Sequence, residues 1–448
     1  MYTYSKQIPQ IAAPDILVVG SGSAGATAAI AAARTLKSKF SEKKKVMLVE
    51  RYGFPGGTST AVLDTFYGFY TPGSSRKKVV GGIADMVIDG LRKLDRVIER
   101  PNTFGAGTGI TYNPEMLKVV WERLAQEAGV DLLYHTFVTD VLTDGAQITA
   151  VITDGKAGLE LIRPAIVIDA SGDADVCARA GVPYERAGDI EPAQTLTTTF
   201  RLANVNAARA RSLPRNEFLM LMQAAADSGD YDLPRREGSI HITPVEGVMA
   251  TIMTRLSVAD PTTPQDLTIA EIEGRRQALE YERFLRTRIP GYEAARIVSF
   301  STQIGVRETR RVYGEYRLTR EDVLQARRFE DAIGLCGAPI EDHHAGEGTQ
   351  WVYLPDGETV GIPYRTLIPK NIENLYVAGR CFSATHDAHA SVRSMAQCMA
   401  MGHAVGAAAA LCILGNSTPR EIPVGHLQAL LEEQGAILDV TAASVSRL

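Results

Sequence analysis

Cysteine is scarce in this sequence, and what there is shows no pairing pattern. Five residues (Cys177, Cys336, Cys381, Cys398 and Cys412) are scattered along the chain with no C-x-x-C pair. That excludes a disulfide scaffold and a structural zinc site, and it fits a reducing compartment, the cytoplasm. No metal site is expected. An excess of one charge sign is also missing: 47 Lys+Arg against 52 Asp+Glu give a net charge of −5. Without a basic surplus, a primary role in nucleic-acid binding is not expected. The most apolar stretch, Gly402–Leu414, falls short of the about 20 residues that a membrane span needs, so no membrane partner is expected. The opening residues MYTYSKQIPQIAAPD show no charged segment followed by an apolar one, and no signal peptide is expected there.

What is present is an ordinary globular composition. The chain has 448 residues, 45% hydrophobic and 22% charged, which at about 150 residues per domain allows two or three lobes. Its 40 glycines, with abundant alanine, point to places where backbone must come close to something.

The run ILVVG at Ile16–Gly20 is unbroken apolar sequence, the pattern of a strand buried on both faces of a parallel sheet. An Ala-rich helix is expected from about Gly22 to Leu36, then a solvated Lys-rich loop at Lys37–Lys45 and a second buried strand at Val46–Glu50. Together these make one βαβ unit. Asn113-Pro114-Glu115 predicts a helix start, with Leu117, Val120, Trp121, Leu124 and Ala128 on one face and Gly129 as its stop. Strand-like runs at Asp131–Leu142, Gln147–Thr153 and Leu159–Arg163 suggest an antiparallel meander feeding a buried run at Ala165–Ala170. From about Gly181 to Ile362 the pattern turns to charged helices (Ile269–Arg288, Arg320–Ala332) and Pro/Gly loops, as in an inserted cap. Buried-strand character returns at Asn374–Gly379, followed by a small-residue helix from about Ser394 to Leu414 and an amphipathic helix beyond Pro423 with a short polar end.

Gly20, Gly22, Ser23, Ala24 and Gly25 form a G-x-G-x-x-G motif where the first strand turns into the first helix. Gly20 permits the tight turn, Gly22 lets backbone approach a pyrophosphate, and Gly25 lets helix pack on strand. The helix N-terminus supplies N–H groups and partial positive charge to phosphates. Glu50, at the end of the second strand, is placed to accept hydrogen bonds from a ribose diol. Directly after it come Arg51 and a second glycine-rich loop containing Gly56, Gly57, Thr58 and Ser59. A nicotinamide dinucleotide has no need of that loop, whereas the long ribityl–isoalloxazine arm of FAD must be covered by backbone. No second strand-then-glycine unit offers an NAD(P)H domain. The glycines of Gly105–Gly109 follow no buried strand and read as a loop, in reach of a flavin.

On GSGSAG at Gly20–Gly25, ERYGFPGGTST at Glu50–Thr60, IDASGDADV at Ile168–Val176, GVRETRRVYGEYRLT at Gly305–Thr319 and NLYVAGRCFSATHDAHASVRSMAQCMAMGHAVG at Asn374–Gly406, the chain resembles the FAD-dependent oxidoreductase family of the glutathione-reductase-like superfamily, in its fumarate-reductase-like branch. The resemblance implies an α/β fold: a Rossmann-like FAD-binding domain with parallel sheet and β-meander, built from residues 1–180 and 363–448, plus an inserted α+β substrate/cap domain at 181–362. It also implies FAD contacts at Val138, at Ala170, Ser171 and Gly172 with Asp173 nearby, at Gly379, and at Arg393, Ser394 and Met395. There the long helix would point its N-terminal dipole at the flavin N1/O2 edge. Many related flavoproteins carry an acid after the last-strand glycine; this chain has Arg380.

Hydride transfer to flavin from an alcohol or amine usually needs a base, and histidine suits that role. His386 and His389 flank Asp387 between the last strand and the long helix and are the candidate bases, with His386 favoured. Arg307, Arg310 and Arg311 form a cluster that either pairs with Glu308, Glu315 or Asp322 or, through Arg307 in particular, clamps a substrate carboxylate. In Asp342-His343-His344 the adjacent histidines should point apart, which disfavours a shared metal and leaves a cap-side substrate contact. His403 reads as a satisfied core residue, and His135, His241 and His426 have no assigned part. Arg380 beside Cys381 could lower that thiol's pKa. The expected function is an FAD-dependent dehydrogenase or oxidase on a small organic substrate, with oxygen or another electron acceptor. The rivals are a C–C desaturase or reductase and, in another class, a flavin-containing RNA-binding or scaffold protein.

Overall fold

The computed structural model describes residues 5–39, 44–74, 76–102, 104–344 and 348–440. The very start of the N-terminal segment, the middle of the Lys-rich loop and the polar C-terminal end lie outside the described residues.

The unbroken apolar runs become one parallel sheet. Its order is Leu375–Val377, Ile166–Asp169, Ile16–Val19, Val46–Val49 and Asp131–Leu133, each strand parallel to the next. Ile16–Val19 is central and buried at every position, which is why it carries no alternation. The helix Ser23–Lys39 connects it to Val46–Val49 as the βαβ unit requires.

Against that helix packs a second one, Met395–Gly415, and small residues set the spacing. A Cβ added at Gly402 would stand 2.1 Å from the Ala24 carbonyl oxygen, and one at Gly406 2.2 Å from that of Ala28. Glycine inside a helix costs about 1 kcal/mol relative to alanine, and the closer approach offsets this by dispersion over many atoms. Among the described residues Met395–Gly415 is the one helix long and apolar enough to cross a membrane; 72% of its most apolar window is buried inside the fold.

The run Asp131–Leu142 does not form one strand. His135 takes φ 56°, and the chain turns there to bond back to the loop after the second strand, Thr136 N–H donating to Glu50 O. Asp131–Leu133 therefore joins the parallel sheet as its edge, while Phe137–Asp144 pairs antiparallel with Gln147–Gly155, and that strand with Gly158–Ile162. Gln10–Ala12 adds to this meander as a fourth strand, alongside Gly158–Ile162. The Asn113-capped helix is Pro114–Ala128, closed by Gly129 in the left-handed region. The helix expected at Arg320–Ala332 is only Arg320–Leu324: Ala326 turns to φ 48°, and Ala332 opens a buried strand, Ala332–Cys336.

A second layer is α+β. Ser239–Ile242, Met249–Ile252, Phe200–Ala203 and Arg296–Phe300 form an antiparallel sheet covered by the helices Arg215–Asp227 and Pro264–Arg288. Its core of Phe200, Leu202, Phe218, Met222, Tyr281 and Phe284 is separate from the larger one around the two packed helices. Leu318, Val323, Ile333, Leu335, Val360 and Ile362 belong to that larger core. The architecture is thus α/β, a Rossmann-like sheet with a β-meander and an additional α+β layer.

Candidate active site

The two glycine loops lie across each other. Gly56 N–H donates to Ser21 O at 2.8 Å, and a Cβ on Gly57 would stand 2.8 Å from the Gly22 Cα. Gly20 has φ +90°, and a Cβ there would meet the Ala170 carbonyl oxygen at 2.6 Å. The result is a groove of bare backbone at the N-terminus of Ser23–Lys39, the arrangement that receives a phosphate. Glu50 holds this groove together. Its Oε2 accepts from Ser21 N at 2.8 Å and Ser21 Oγ at 2.6 Å, and its Oε1 accepts from Tyr52 N at 3.0 Å. A carboxylate offers about four acceptor positions, so Glu50 braces its own loops and keeps room for one further donor from the cavity it lines.

From this groove a cavity of about 890 Å³ runs between the two layers. Gly20, Gly22, Ser23, Ala24, Glu50, Arg51, Gly57, Thr58 and Val138 line it, as do Ala170, Ser171, Gly172, Gly379, Arg380, Arg393, Ser394 and Met395. Three expected contacts stand behind the wall for steric reasons. Gly25 abuts the Gly20 carbonyl, where a Cβ would sit at 1.7 Å. Gly56 is turned toward Ser21 and Thr60, and the buried Ser59 hydroxyl donates to Gly56 O at 2.6 Å. Arg380 closes the wall as a staple: its Nε donates to Gly172 O at 2.8 Å and its Nη2 to Asp173 Oδ1 at 2.6 Å.

The two favoured histidines are elsewhere. Among the described residues the cavity wall includes neither His386 nor His389. His386 is buried with Nδ1 3.0 Å from Glu308 Oε1 and Nε2 3.4 Å from Asp342 Oδ1, so both nitrogens are engaged by carboxylates. His389 is fully buried. Its Nε2–H donates to Arg380 O at 2.7 Å, and burial, then Arg393 and Arg311, hold it well below its ordinary value as a neutral ring. The arginine cluster divides. Arg310 bonds Asp173 O at 2.8 Å and Asp175 Oδ1 at 3.2 Å. Arg311 lies buried between Glu185 and Glu308. Arg307 alone of the three faces the cavity. Cys381 is fully buried, and burial pushes its thiol well above the usual range despite Arg380. His403 is a satisfied core residue, 2.7 Å from Gln434 Oε1.

The cavity's polar end joins Arg307 and His343, both named from the sequence, to residues that no motif singled out. Glu341 and His343 line it with Arg235, Glu237, Arg307 and Thr349. His343 Nε2 lies 2.8 Å from Glu341 Oε1, and its Nδ1 lies 2.9 Å from Thr349 Oγ1. Burial and the Arg307 charge lower His343 to about 3, so it is neutral. Burial works against ionising Glu341, but its partner His343, Arg393 and Arg307 outweigh it and hold the carboxyl at about 2. A signal for this pair existed. Side chains alternate along a strand, so in Glu341-Asp342-His343-His344 the first and third share one side and the second and fourth the other. His344 accordingly bonds Asp342, at 3.1 Å.

A bare-backbone groove, a helix N-terminus and a long cavity continuing to the start of Met395–Gly415 fit FAD: the groove for its pyrophosphate, Thr136–Val138 and Ala170–Gly172 beside it, and Gly379, Ser394 and Met395 further along. The family model described as FAD dependent oxidoreductase matches residues 15–431. The chain belongs to that family. FAD is therefore the cofactor of this oxidoreductase. The match does not reach as far as the fumarate-reductase-like branch. No curated protein matches the sequence. Similar solved structures include a flavin-dependent brominase, Bmp2, at 14% identity over 94% of this chain and 84% of that one, with a TM-score of 0.49. BexE, studied for oxidation during BE-7585A biosynthesis, shares 18% identity over 68% of this chain with a TM-score of 0.41. The anhydrotetracycline hydroxylase OxyS from Streptomyces rimosus shares 12% over 94%, with a TM-score of 0.45. The flavoprotein chain spans 54% of the length of BexE and 65% of that hydroxylase.

Proposed function

We propose that this flavoprotein removes hydride from a CH–OH or CH–NH carbon of a small organic substrate, with oxygen or another acceptor closing the cycle. Bound FAD supplies the two-electron acceptor for that hydride. Glu341 carries the reading: an ionised carboxylate on the cavity wall, with Oε1 held by His343 and no partner for Oε2 among the described residues. Oε2 accepts the proton of the substrate hydroxyl. Losing hydride turns an alcohol into a protonated carbonyl, a far stronger acid than any carboxylic acid, so a weakly basic carboxylate suffices. His343 fixes the Glu341 rotamer, and Arg307 and Arg393 keep the carboxyl ionised. Ser239, Ile240 and Ile252 of the second layer also line the cavity. Five free, buried cysteines suit a reducing cytoplasm as the setting.

The test is anaerobic mixing of the holoenzyme with panels of alcohols and amines, followed by flavin absorbance. Bleaching by members of either panel is expected. If neither bleaches it, and enones or dicarboxylates instead reoxidise the chemically reduced protein, the reaction is C–C desaturation or its reverse.

A further inference from the structure

The polar end of the cavity holds more positive charge than its own residues neutralise. The guanidinium groups of Arg235, Arg255, Arg307 and Arg393 act on one another there, against the carboxylates of Glu237 and Glu341. Glu237 is already occupied. Its Oε1 accepts from Arg255 Nη2 at 2.7 Å, Thr349 N at 2.9 Å and Thr349 Oγ1 at 2.5 Å. Arg235 is left 3.6 Å from that oxygen. It is 8% exposed, it lines the cavity, and its buried Nε has no hydrogen-bond partner. Arg307 donates to the Thr195 carbonyl at 2.5 Å and pairs with no carboxylate among the described residues. Buried cations whose counter-charge is distant or shared are costly, and a planar fork is shaped for a carboxylate.

Beside this cluster the wall is aromatic. In the antiparallel hairpin of Ile340–Asp342 and Gln350–Val352, Trp351 is the register partner of Glu341, so the two side chains share one face. Trp351 and Phe104 both line the cavity, and they remain 38% and 72% exposed. Tyr353, on the same side, accepts from Gly105 N at 2.9 Å.

We propose that the substrate of this site is an aromatic acid, its carboxylate held between Arg235 and Arg307 and its ring laid along Trp351. The proposal rests on the hydride-transfer reading of the same cavity, which it narrows to one substrate class.

Calorimetric titration of the holoenzyme tests it with phenylacetate, its neutral amide phenylacetamide, and acetate as the ringless acid. Phenylacetate should bind at least about tenfold more tightly than either, because each lacks one of the two contacts. Arg307→Gln should weaken phenylacetate by about tenfold and leave phenylacetamide unchanged, and Arg307→Lys should recover part of the loss. Trp351→Ala should weaken phenylacetate and leave acetate unchanged. Phenylacetamide binding as tightly as phenylacetate to the wild-type protein would overturn the proposal, as would acetate matching phenylacetate. The wild-type comparisons need no variant to fold. Should phenylacetate bind as expected while no alcohol or amine bleaches the flavin, the hydride-transfer reading fails and the aromatic-acid site stands.

Discussion

Glu341 and Trp351 stand opposite each other across a short antiparallel hairpin, and both line the cavity. One strand gives the site its ionised carboxylate, and the other gives it an indole. His343, two residues beyond Glu341, bonds it at 2.8 Å and thereby fixes its side chain.

That pair makes the fold acid-sensitive in a definite direction. His343 is lowered to about 3 from 6.5, so between those values the unfolded chain binds a proton that the folded one does not. Stability is full above pH 6.5 and falls as pH drops toward 3. Glu341, lowered from 4.5 to about 2, adds to the loss between those two values. Thermal melts should show a lower Tm at pH 4 than at pH 7, with a smaller acid loss in His343→Gln. An equal acid loss in variant and wild type would show that His343 is not buried neutral.

Packing of the two long helices couples stability to cofactor binding. Gly402 touches Ala24 of the phosphate loop, so Gly402→Ala must push the helices apart. Overpacking of this kind costs about 1–3 kcal/mol. The variant should show a lower Tm and a reduced ratio of flavin to protein absorbance. A wild-type Tm with full flavin content would mean that the helices tolerate the extra methyl group.

Glu308 is fully buried and binds both Arg311 and His386. Removing one partner of a buried ion pair costs about 3–5 kcal/mol, so Glu308→Ala should be strongly destabilised in chemical denaturation. His386→Gln should lower Tm but keep most of kcat, far from the loss of about 10²-fold or more that removing a general base produces. Loss of activity on that larger scale in a folded, flavin-loaded His386→Gln protein would return His386 to the reaction.

The sequence showed clearly whatever is imposed by backbone chemistry. Gly57 must lack a side chain for the loops to cross and Gly20 for its approach to Ala170, and Ile16–Val19 must be apolar on both faces, so motif and pattern revealed the cofactor groove. Chain reversals governed by single residues were not visible: nothing local announces that His135 takes a positive φ and splits one apparent strand between two sheets. The reacting end was harder still. Proximity to the flavin-facing helix drew attention to His386 and His389, but both nitrogens of His386 are taken up by Glu308 and Asp342, and His389 is buried behind the cavity wall with its Nε2 on the Arg380 carbonyl. Glu341 and His343 gain their importance from Arg235 and Arg307, residues distant in sequence that only the closure of the second layer over the sheet brings near.

The most direct measurement is the anaerobic rate of flavin reduction by the compound that bleaches it best, compared between wild type and Glu341→Gln at equal flavin content. Glutamine keeps the shape and removes the proton acceptor. The rate should fall by about 10²-fold or more while the Tm and flavin spectrum stay near those of the wild type. A reduction rate unchanged in Glu341→Gln would contradict the account.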